Sequence, residues 1–211
     1  KLTRLKDKQC NRIHPAGSQN PELQKLLFAV FFITYLITLA GNLFISVIIF
    51  ISPALGSPMY SFPSYLFIID IFCSSSIAPK MNFDLISEKN TISFNGCMTQ
   101  LYFFVTFVCT EYILLAIMAF DRYVAVCDPF HYVTTMSHHH CVLLVAFSCS
   151  FPHLHSLLHT LLLNRLTFCD SNVIHHFLCD LSPVLKLSCS SIFVNEIVQM
   201  TEAPIVLVTP F

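Results

Sequence analysis

Leu26 to Ile51 is a run of 26 residues without a charged side chain. About 20 apolar residues suffice for a helix to cross the hydrocarbon core of a bilayer. No soluble fold of this size hides such a surface, so the run commits the chain to a membrane. Further runs repeat the signal. Pro58 to Pro79 carries one charged residue, Asp70, and Met98 to Phe120 carries one, Glu111. Cys141 to Leu163 carries none, and Ile197 to Phe211 is interrupted by Glu202 and Pro204. Helices are expected over about 26–51, 58–80, 95–127, 139–163 and 195–211, with a long loop over 164–194. The chain reads as an all-α membrane protein, a transmembrane helix bundle behind a polar, basic segment over 1–25. Charged residues are only 11% of the sequence against 55% hydrophobic, where a soluble domain has about 25% charged. A net charge of −1 leaves no basic surface for nucleic acid.

In such a chain the few charges are informative. Intramembrane carboxylates mark functional positions, which singles out Asp70 and Glu111. Glu111 precedes Arg122 by 11 residues, about 16 Å along a helix, so it lies near mid-membrane. Asp121 and Arg122 stand at the edge of the third run, where an ion pair is tolerated. At the bilayer centre a charge costs about 2.5–3.5 kcal/mol by insertion scales. Pro129 then stops the helix, and Asp128 before it is pushed out of the helical region. Asn42, inside the first run, needs a polar partner in the bundle.

Two stretches resemble a known family. Met118-Ala-Phe-Asp-Arg-Tyr-Val-Ala-Val-Cys127 is similar to the end of the third helix of vertebrate olfactory receptors, which are rhodopsin-like G-protein-coupled receptors, with Phe120 where tyrosine is usual. Leu166 to Cys189 resembles their second extracellular loop. Gly41-Asn42, Pro58-Met-Tyr60 and Pro79-Lys-Met81 match further helix motifs, whereas Pro63 and Cys149 replace an aliphatic residue and a tryptophan.

The resemblance implies the first five helices of a seven-helix receptor, C-terminally truncated. Its expected function is detection of small volatile odorants with signalling through a heterotrimeric G protein of the stimulatory type, from a multi-pass position in the plasma membrane lipid. It assigns Asp121, Arg122 and Tyr123 to the G-protein switch. It implies disulfides Cys97–Cys179 and Cys169–Cys189, one of three pairings four cysteines allow. It implies a polar site of Asn42, Asp70 and Glu111 able to hold a sodium ion, the only cofactor expected. The expected odorant pocket on the third helix comprises Phe104, Val105, Val108, Cys109 and Tyr112. The alternative is a truncated, non-signalling fragment retained in the endoplasmic reticulum.

Other chemistries find little support. There is no Gly-x-Gly-Asp motif for an intramembrane aspartyl protease, no phosphate-binding glycine loop, and only four glycines in all; no enzyme and no metal centre is expected. His138-His139-His140 is read as a loop end, because adjacent residues point in different directions. His155 and His159, spaced i, i+4, are read as pore-facing or interfacial polar groups rather than ligands. His176-x-x-Cys179-Asp180 ranks below the disulfide as a use for Cys179. One signal conflicts with the family orientation: Lys1, Arg4, Lys6, Lys8 and Arg12 face only Asp7 in the leader, and the positive-inside rule puts such a segment in the cytoplasm.

Overall fold

Four helices are long and apolar enough to cross a membrane among the residues described in the computed structural model, which are 9–12, 21–52, 58–87, 91–167, 173–174 and 179–208. They are α1 (Pro21–Ile51), α2 (Pro58–Ile86), α3 (Phe94–Cys127) and α5 (His138–Asn164). Three shorter helices accompany them: α4 (Tyr132–Thr135), α6 (Leu181–Leu185) and α7 (Phe193–Val208). α1 packs on α2, α2 on α3, and α3 on α5. Most of the large apolar side chains of α1 point outward, Leu36, Ile37, Phe44 and Ile51 among them. That is the expected state of a helix whose solvent is lipid, where apolar burial against protein gains nothing.

The helices run beyond the expected bounds in places. α2 continues to Ile86 because its polar last turns are satisfied along the helix. Lys80 pairs with the buried Asp84 four residues on, and Asn82 Nδ2 donates to Ala78 O at 2.9 Å. α3 spans 34 residues, about 51 Å at 1.5 Å each. It overshoots a 30 Å core, so its last turns stand at or past the boundary. The described part of the fifth segment, α7, is 16 residues, about 24 Å.

One end of the bundle is not purely helical. Three short strands, β1 (Gln9–Arg12), β2 (Thr91–Ser93) and β3 (Val173–Ile174), form a sheet in the order β2-β1-β3. β1 runs antiparallel to β2, with Cys10 opposite Ile92, and parallel to β3, with Asn11 opposite Val173. Strands were not expected in the leader or in either loop. β2 leads directly into α3. Ser93 caps that helix, its Oγ accepting from Gly96 N at 3.1 Å. A Cβ on Gly96 would sit 3.0 Å from that oxygen, so glycine suits this position.

The densest packing lies beneath the sheet. Cys97, Met98 and Leu101 of α3, Leu163 of α5, Cys179, and Leu181, Val184 and Leu185 of α6 form one buried cluster. A disulfide joins Cys97 to Cys179 at its centre. The leader strand and the disulfide therefore share one end of the bundle, opposite the Asp121 end of α3.

Candidate functional site

The Asp121 end is built by the helix stop and the turn after it. Asp128, ahead of Pro129, leaves the helix at φ −139° and ψ 66°. The chain then winds one turn of α4 where a plain loop was expected, and this turn aims Tyr132 back at α3. Tyr132 Oη donates to Asp121 Oδ1 at 2.9 Å. Arg122 Nε lies 3.7 Å from Asp121 Oδ2; the acid's side chain is only 2% exposed and the arginine's 50%. Burial, then the bond to Asp121, pushes the Tyr132 phenol up to about 12. Removing the phenolic proton would put a second negative charge against a buried carboxylate. Tyr123 points outward, and Phe130, in the turn, is 94% exposed. Tyr132 had no role in the sequence reading. Its place three residues past Pro129 in the motif stretch was the available signal.

Mid-bundle, Asp70 of α2 and Glu111 of α3 come within hydrogen-bonding reach of each other, and Cys73 reaches Glu111. Two ionised carboxylates this close repel, so the pair requires a shared proton or a cation. Carboxylate oxygens suit a hard cation. Asn42 is half-buried on α1 and, among the described residues, makes no hydrogen bond to either carboxyl.

Phe104, Val105, Val108 and Cys109 are half-buried on α3, whereas Tyr112 is exposed. Val105 packs against the core cluster around the disulfide. Cys109 Sγ lies 3.6 Å from His155 Nδ1 of α5, and the His155 and His159 rings touch edge to face at 4.6 Å between centroids. Tyr102 Oη and His153 Nδ1 are 2.9 Å apart. His153 and His155 are thus each tied to α3, and His155 also to His159, with which it shares a helix face.

At the opposite end, Cys189 is also disulfide-bonded; Cys169 lies outside the described residues, as does His176. Asp180 caps α6, accepting from Leu181 N at 2.7 Å. Among the described residues no group of three or more His, Cys, Asp or Glu side chains is placed to hold a metal ion.

The olfactory receptor family model matches residues 31–208. Olfactory receptor 1L8 of Homo sapiens is 72% identical over 194 residues, which are 92% of this chain and 63% of that receptor. Olfactory receptor 1L1 of Homo sapiens is 57% identical over 92% of the chain and 54% of its own length. Olfactory receptor 1f45 of Rattus norvegicus is 47% identical over 92% of the chain and 62% of its own length. The chain thus spans a little over half to almost two-thirds of the length of the relatives it matches. With its long apolar helices the chain is a membrane protein, and these matches make it a member of the olfactory receptor family.

Proposed function

We propose that this chain carries the sensing and switching half of an odorant receptor at the plasma membrane, signalling through a heterotrimeric G protein of the stimulatory type. The observation that carries the reading is the Asp121 end. A buried carboxylate there holds a half-exposed Arg122 on one side and a tyrosine from the following turn on the other. Such a cluster has two arrangements, with Arg122 held or released, and a ligand shifts them only through differential affinity. Phe130 beside it offers an exposed apolar contact for a protein partner, of the aromatic kind that anchors interfaces. Asp121, Arg122 and Tyr123 are the switch in this reading.

A small volatile ligand would sit against Phe104, Val105, Val108, Cys109 and Tyr112, under the loop held by Cys97–Cys179. The bonded state of Cys189 supports a second bridge to Cys169. Disulfides form in oxidising compartments, which supports an orientation with that end, and the leader strand paired beside it, outside the cell. This orientation overrides the charge of the leader. Asp70 and Glu111 would supply oxygens to a sodium ion, a charge neutralising their repulsion. Arg122→Ala, introduced into the receptor that contains this chain, is expected to abolish ligand-dependent cAMP while surface staining stays unchanged. A retained signal at equal surface level would defeat the switch assignment.

A further inference from the structure

Resting on the odorant pocket proposed above, we infer that Cys109 and His155 form a thiol–imidazole pair that captures aldehyde odorants as a reversible hemithioacetal. Cys109 belongs to the α3 face assigned to the pocket and is only half-buried. His155 Nδ1 lies 3.6 Å from that sulfur. A nucleophile within reach of a base, with the base oriented by a third group, is the arrangement that activates a weak nucleophile. Here two rings orient the base. Phe151 stacks on His155 at 6.3 Å between centroids, and the buried His159 meets it edge to face at 4.6 Å.

The step balances without any oxidant or further reactant. His155 Nδ1 takes the thiol proton as the sulfur attacks the carbonyl carbon. The carbon–sulfur bond forms, and the carbonyl π pair moves to oxygen. That oxygen then takes the proton from the imidazolium, leaving a neutral hemithioacetal and a neutral His155. Reversal expels the intact aldehyde, as a sensor requires. A site that excludes water favours this adduct over the competing hydrate. The pair would therefore distinguish an aldehyde from the alcohol of equal length, which has no electrophilic carbon.

The test is carbon NMR of the chain in lipid nanodiscs with octanal labelled with carbon-13 at C1, beside labelled octanol. Octanal is expected to give a protein-dependent resonance in the sp3 region, lost in Cys109→Ser and unaffected by a metal chelator. In His155→Gln the adduct is expected still to form, with slower exchange. A Cys97–Cys179 bond intact by mass spectrometry, with unchanged helical circular dichroism, certifies each variant as folded. Octanal that binds without the sp3 resonance, or a resonance that survives Cys109→Ser, overturns the inference. A signal that disappears with chelator points to a soft metal on the same pair and also overturns it. If octanol binds and octanal forms no adduct, this inference alone fails; if neither binds, the pocket reading fails with it.

Discussion

Substituting Cys97 by serine tests the best-packed part of the molecule. The bridge to Cys179 closes 82 residues of sequence, and by the chain-entropy relation a loop of that length corresponds to about 4.5 kcal/mol at 25 °C. That is an upper figure, because helices that remain inserted after unfolding already restrain the chain between α3 and α5. Only the stretch from Asn164 to Cys179 is then free, and a loop of about 15 residues corresponds to about 3 kcal/mol. The expected loss is therefore about 3–4.5 kcal/mol, or roughly 6–18 °C in Tm for a chain of this size. Thermal unfolding in detergent, followed by a thiol-reactive dye or by circular dichroism, reads it directly. A cycle sharpens the result. Cys97→Ser, Cys179→Ser and the double substitution all break the same bond, so all three should lose the same amount. Both sulfurs are fully buried, and if they acted only as packing groups the double variant would lose the sum. Additive losses, or a single loss below about 1 kcal/mol, would refute the reasoning.

Three other outcomes are expected. Tyr132→Phe keeps the ring but removes a hydrogen bond to a buried carboxylate, worth about 1.5–3 kcal/mol for a charged acceptor. Ligand-independent cAMP should rise at matched surface level, and an unchanged baseline would mean that the bond is equally strong in both states of the switch. The raised phenol of Tyr132 favours its protonated form in the fold. Its contribution is fully present below the ordinary value near 10 and lost as pH rises through about 12; phenolate absorbance compared with Tyr132→Phe should show that one late titration. Sodium chloride should raise thermal stability over choline chloride, and Asp70→Asn or Glu111→Gln should remove the difference; equal stability of the parent in both salts would exclude a sodium site.

The long helices were legible because an uncharged run of membrane length has one outcome whatever it packs against. The switch was half legible. Asp121, Arg122 and the stop at Pro129 can be read from residue type and order. The α4 turn that swings Tyr132 onto Asp121 cannot, because its four residues carry no periodic signal and its register depends on α3. The same holds for Cys109 and His155, which are 46 positions apart and meet only through the crossing of two helices. Asn42 illustrates the opposite case. A motif match suggested a shared site with Asp70, yet among the described residues Asn42 makes no bond to either carboxyl. The sheet was invisible because two to four residues per strand fall below any alternation that could be counted.

That sheet imposes an order on synthesis. β1 is made before any of the four long helices, yet the backbone groups it offers to Val173 and Ile174 have no partner until those helices have been threaded into the membrane. Pairings of such sequence separation form late and slowly, and an unpaired strand edge in the interval is open to wrong partners. The sheet end of the bundle therefore closes only after the helices that carry it. The strand Gln9–Arg12 becomes the clasp by which a finished bundle differs from an unfinished one.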